Sequence, residues 1–171
     1  MTVSLFTFVD LYRRHLVTAG HLLTKGSAFA AEQGISEAEM LGWRLADDMH
    51  PLAFQLMVVA NFSRSWPARV ADLPIPEAIT ADLDAAGFHA AFADAQAYLA
   101  TLTPEQFAGR DDVALTVQLG PNTTMAPTLP AGQWLSVFAT TNIVFHLSTA
   151  YGILRMKGVP LGKFDLFAAG I

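Results

Sequence analysis

Apolar residues recur at spacings of three and four along most of this chain, the mark of helices that turn one face inward. The first stripe is Leu5, Phe8, Val9, Tyr12, Leu16, Ala19, Leu22 and Leu23, which predicts a helix from about Val3 to Gln33, stopped by Gly34. Gly20 and Gly26 fall inside it, each a small loss of helix propensity or a point of close helix approach. Ser36-Glu37-Ala38-Glu39 reads as a capping box opening a short helix towards Arg44. The residue before a proline avoids helical angles, so the chain breaks near Asp48 and His50 and a second long helix starts at Pro51. Its stripe, Leu52, Leu56, Val59, Phe62 and Trp66, heads towards Val70, with Pro67 expected to kink the helix or end it early. A third helix, capped by Thr80, buries Leu83, Phe88, Phe92, Ala95 and Leu99. Thr103-Pro104-Glu105-Gln106-Phe107 adds one capped turn.

The period then changes. Val113 to Leu119 alternates, with Val113, Leu115, Val117 and Leu119 on one side; Gly120-Pro121-Asn122 supplies a turn and a short returning strand follows through Met125. The fourth long helix runs from near Ala131 to Met156 or Lys157. From Val113 to Leu154 there is no Asp, Glu, Lys or Arg, 42 residues in succession. A helix with no charge on any face must be covered by protein on most sides. Arg155, Lys157 and Gly158 mark its end. The pattern predicts an all-α fold: a single domain over residues 1–171, an up-and-down four-helix bundle with a small β-hairpin-like insertion before the last helix.

Composition adds an expectation about assembly. Hydrophobic residues make up 53 % of the chain and charged ones only 15 %, against about 25 % charged in ordinary domains. So much apolar surface predicts a homodimer. The net charge of −5 comes without a basic cluster, which excludes a phosphate-backbone binder and so nucleic acid as partner. With no cysteine there are no disulfides, thiolate ligands or Cys nucleophiles. Met1-Thr2-Val3-Ser4-Leu5-Phe6 lacks a basic n-region and a small-residue cleavage site, so a cytoplasmic protein is expected. The 24 uncharged residues from Ala131 to Leu154 are long enough to span a bilayer. Eight polar residues among them, Asn142 and His146 included, argue instead for a buried core helix and no membrane.

Three segments carry a family resemblance: Arg44-Leu45-Ala46-Asp47-Asp48-Met49-His50-Pro51-Leu52, Asn142 through Arg155, and Gly158-Val159-Pro160-Leu161-Gly162-Lys163-Phe164-Asp165. Together they resemble a family of uncharacterised bacterial and fungal domains within the DinB/YfiT-like four-helix superfamily. That resemblance implies a divalent metal held by three histidines, one near the start of the second long helix and two from a His-x-x-x-His pair on the fourth. His50 and His146 match the first two positions; the third, four residues on, is Ala150. The implied metal is therefore expected to bind weakly or not at all.

The candidate residues have competing readings. Asn142, His146 and Thr149 share a helix face by their spacing and, with Tyr151, form a candidate ligand pocket for a small apolar molecule. His146 is a metal ligand or general base, or else a neutral core histidine satisfied by Asn142, a hydroxyl or a backbone carbonyl. His50 is a ligand, or a half-exposed residue at a helix start where Asp48 caps the free amides. His15 either completes a histidine site or sits at the boundary with Arg13 and Arg14; His21 and His89 read as surface positions. Arg155 anchors a substrate carboxylate or pins the tail, and Lys163 and Asp165 dock that tail against helix ends. No phosphate loop, nucleophile elbow or paired carboxylates are visible, so no catalytic residue is assigned. The leading expectation is a non-catalytic small-ligand-binding or structural homodimer with a degenerate metal site. The alternative is a DinB-like metal-dependent enzyme of thiol transferase or hydrolase type.

Overall fold

A computed structural model describes residues 3–120 and 123–170. The first apolar stripe folds as α1 (Thr7–Glu32), and Tyr12, Leu16, Ala19, Leu22 and Leu23 are all buried. Ser36 caps α2 (Glu37–Leu41) as expected, its hydroxyl accepting from the Glu39 amide at 3.2 Å. The second long helix is α3 (Leu52–Val70), preceded by extended Pro51. Pro67 does not end it early: the helix continues to Val70 with Pro67 buried. Only one turn follows the proline, and its loose end is tied down. The Arg110 Nε donates to the Val70 carbonyl at 2.8 Å, and the Leu73 amide reaches back to Ala68 at 2.9 Å across left-handed Asp72.

The third long helix starts later than expected. Thr80 does not cap it; α4 (Ala85–Ala100) is capped by Asp84, whose carboxylate accepts from the Gly87 amide at 2.7 Å. Glu37 of α2 adds a second cap, accepting from the Ala85 amide at 2.9 Å. Aspartate outcompetes threonine here because an ionised carboxylate also complements the positive helix end. Gln106 closes the 3₁₀ turn Pro104–Phe107 by accepting from the Thr103 amide at 2.9 Å. The hairpin is short: β1 (Ala114–Thr116) pairs antiparallel with β2 (Thr128–Pro130), Leu115 opposite Leu129. Amides of Val117 and Leu119 extend the ladder to the carbonyls of Pro127 and Met125. Pro121 and Asn122 of the expected turn lie outside the described residues.

The last helix, α5, runs over Ala131–Met156. Residues Trp134–Ala139 form wide π-type turns within it. The Leu135 carbonyl there receives two hydroxyls, Tyr12 at 2.7 Å and Thr140 at 2.9 Å. By length and composition α5 could cross a membrane, but its inner face (Trp134, Leu135, Ala139, Ile143, Leu147, Ala150, Ile153 and Leu154) fills the bundle core.

Up-and-down here means up, down, down, up. Tyr12 meets Leu135 while Gly26 meets Leu154, so α1 and α5 run parallel. Trp66 meets Trp134 while Gln55 meets His146, so α3 runs against α5. The segment after α3 returns along that helix, held where the Asn61 amide group donates to the Ile79 carbonyl (2.9 Å) and accepts from its N–H (3.0 Å). α4 therefore begins at the same end as α3.

Gly26 is a point of close helix approach. A Cβ there would stand 2.8 Å from a methyl of Leu154 and 3.3 Å from the Met40 sulfur. Gly26→Val is expected to lower unfolding stability by about 1–3 kcal/mol, because a close-packed core accepts added volume only with strain. Chemical denaturation of the two proteins measures it.

Candidate functional site

The two histidines that the sequence singled out come together at one end of the α3–α5 contact. His50 lies just before α3, where its ring stacks on Phe54 with centroids 3.8 Å apart. His146, on α5, approaches the same Phe54 edge-on at 6.0 Å and has Phe145 beside it at 5.1 Å. The antiparallel crossing of α3 and α5 produces this meeting, since the start of α3 falls opposite the middle of α5.

Gln55 organises the pair. Its side chain is buried, its amide nitrogen donates to the His50 carbonyl at 2.9 Å, and its oxygen lies 2.6 Å from His146 Nδ1. An amide oxygen only accepts, so Nδ1 carries the proton and Nε2 is left as a bare lone pair. Burial, and secondarily the nearby His50, lower the pKa of His146 below its ordinary 6.5. His146 is therefore a neutral, oriented imidazole at neutral pH. A histidine that ligates a metal has this same form, the far nitrogen held by an outer partner.

The rest of a metal site is missing. Position 150, one turn beyond His146, presents a methyl group with 0 % exposure. Asp47 and Asp48 are exposed, and among the described residues no group of three or more His, Cys, Asp or Glu could hold an ion. The three-histidine set implied by resemblance does not fit the residues present: two imidazoles and an alkyl wall make an incomplete coordination shell.

The other candidates are placed as follows. Asn142 turns back to donate to the Phe138 carbonyl (2.8 Å) and the Thr149 hydroxyl to the Phe145 carbonyl (2.8 Å), so neither satisfies His146. The partner is Gln55, which sequence reasoning missed; a lone glutamine in an apolar stripe at the helix start was the available signal. Tyr151 lies about 140° around the helix from His146 and is half-buried against the core. Asp48 does not cap α3: Pro51 has no amide, and the Leu52 amide goes to the Trp43 carbonyl at 2.8 Å. His15 stacks on Tyr12 (6.4 Å) with Nδ1 buried and without a partner, and burial lowers its pKa.

His21 is not simply a surface residue. Its Nε2 lies 2.7 Å from Asp165, which also takes the Lys25 ammonium at 3.0 Å and the Gly162 amide at 2.6 Å. The backbone amide first, then His21 and Lys25, hold the Asp165 carboxyl well below the usual carboxylate range. This triple contact docks the 3₁₀ tail Lys163–Phe167 on α1. Arg155 donates to the Val159 carbonyl at 3.2 Å, which fits the tail-pinning reading.

The model of the family described as "Domain of unknown function (DUF1993)" matches residues 6–167. The chain belongs to this family. No curated protein matches the DUF1993 chain. Its fold is similar to the crystal structure of a DinB family member protein from Shewanella denitrificans, with a TM-score of 0.81. That alignment is 24 % identical and covers 95 % of this DUF1993 chain and 90 % of the other. It shows a DinB-like helical bundle.

His146→Leu leaves the buried Gln55 oxygen without a donor, and stability is expected to fall by about 1–3 kcal/mol in denaturant titration. The pH dependence carries a second signature. The lowered pKa means that the unfolded chain binds the proton more readily than the folded one, so stability drops as pH falls below about 6.5 and levels off under the folded-state pKa. The drop between pH 7.5 and 5.5 is expected to be shallower in His146→Leu; melting temperatures at both pH values test it.

Proposed function

We propose that this protein is a non-catalytic small-ligand-binding or structural homodimer whose metal site has decayed. The observation that carries the reading is Ala150. Where its superfamily resemblance implies a third imidazole, α5 offers a fully buried methyl group. His146 and Gln55 survive beside it as an oriented remnant: their hydrogen bond now closes a polar gap between α3 and α5. A ligand set of two imidazoles holds a divalent ion only loosely, and water or buffer completes the shell.

The outer face of α5 supports the dimer. Val137, Val144, Phe145 and Met156 are exposed at roughly helical spacing, with Phe145 at 56 %, and no charge precedes Arg155. A solvent-facing helix ordinarily carries charged residues there. A second copy covering this face accounts for their absence and places Phe145, the neighbour of His146, at the interface.

Elemental analysis after dialysis against chelator is expected to find zinc, nickel and manganese far below one ion per chain. Ala150→His is expected to raise metal affinity above that of the parent. Stoichiometric metal surviving in the parent would overturn the reading in favour of a metal-dependent enzyme of thiol transferase or hydrolase type. Light scattering is expected to give twice the 18.4 kDa chain mass, and Phe145→Asp is expected to return the monomer. An unaltered monomer in the parent at micromolar concentration removes the dimer.

A further inference from the structure

A cleft of about 380 Å³ lies away from the histidine pair, between α3, the π-type turns of α5 and the strand continuing from β1. Its walls are aromatic. Trp66 stacks on Trp134 at 5.1 Å, Phe138 meets Trp66 edge-on at 5.1 Å, and Phe62 stacks against Phe138 at 6.2 Å. The two tryptophans are buried, but Phe62 and Phe138 are only half-covered and line the cleft. Phe138 comes from the π-type segment, a conformation that is rare and concentrated at functional sites.

One charged side chain lines this cleft, Arg69. Its guanidinium lies over the Trp66 ring, 5.7 Å from the centroid. Stacking uses the face of the guanidinium and leaves its in-plane N–H fork free. Among the described residues Arg69 makes no ion pair; Asp72, three residues on, lies 3.7 Å from Arg110 instead. No acidic side chain lines the cleft among the described residues. A cation without a carboxylate partner beside an aromatic wall offers a charged contact and an apolar one together, and the volume falls within the roughly 300–1,000 Å³ of small-molecule sites.

We infer that this cleft binds a small aromatic monocarboxylate, its ring system against Phe62 and Phe138 and its carboxylate on the Arg69 fork. The inference deepens the ligand-binding half of the proposal above and is independent of the metal and the dimer. The aromatic wall favours a planar ring, whose edges and faces complement those of the phenylalanines. The carboxylate supplies what Arg69 lacks, a planar two-oxygen acceptor matched to its fork.

Calorimetry with naphthalene-2-carboxylate, and with the neutral naphthalene-2-methanol as control, tests it. Saturable one-to-one binding of the acid is expected, at least about tenfold tighter than the alcohol. Arg69→Met, checked for an unchanged melting temperature, is expected to lose that difference while keeping the weaker binding of the alcohol. Indole N–H resonances locate the site: Trp66 and Trp134 shift, and Trp43, which lies under Lys157 elsewhere in the bundle, does not. Equal affinity for acid and alcohol overturns the inference, as do full acid affinity in Arg69→Met, shifts confined to Trp43, or no saturable heat up to millimolar acid. None of these outcomes touches the metal and mass measurements, so the two readings fail separately.

Discussion

A helix 26 residues long with its first charge at Arg155 persists in water only if its neighbours cover it, and α5 sets the terms on which the other elements are arranged. α1 lies parallel to it and close enough that Gly26 has no room for a side chain beside Leu154. α3 crosses in the opposite sense and supplies Trp66, Phe62 and Gln55 along the contact. The hairpin covers its start, where the Trp134 indole donates to the Leu115 carbonyl at 2.8 Å. Covering three sides leaves a fourth, and that remaining stripe is where an assembly reading originates. Apolar burial drives all of this without directional preference; the few polar contacts choose the register.

Gln55 shows how such a contact works. It joins the start of α3 to the middle of α5 through His146, and a buried amide group left without partners would be costly. The same hydrogen bond that locks the crossing also fixes the histidine tautomer. Structural satisfaction and the orientation of the ring are one geometry here.

Most of the fold was legible because burial leaves a periodic trace. The stripes of α1, α3 and α5 gave their helices directly, and the capping box at Ser36 gave α2. What misled were local signals without tertiary context. Thr80 looked like a cap, but the decisive capping partners for α4 are Asp84 and, from a distant segment, Glu37. Pro67 looked like a stop, but Arg110, forty residues beyond Val70, secures the turn that follows it. For the site, the histidines could be named from the sequence, but the Gln55 link could not, because it depends on the direction in which two helices cross. The His21–Asp165 hydrogen bond was hidden because its partners stand at opposite ends of the chain.

The wide turns of Trp134–Ala139 have a consequence for how this chain tolerates insertion and deletion. A π-type segment takes up about one extra residue in a helix without breaking it, and each residue turns a helix by about 100°. Everything beyond Thr140 is thus rotated by that amount relative to an uninterrupted α-helix starting at Ala131. Closing these turns to regular α-geometry with no residue removed would swing the half of α5 that carries His146 and Ala150 away from α3, whereas deleting one residue from 134–139 lets the helix close with that half left in place. The wide turns therefore act as an angular setting, letting α5 carry one residue more at its start while its far half keeps its face towards α3.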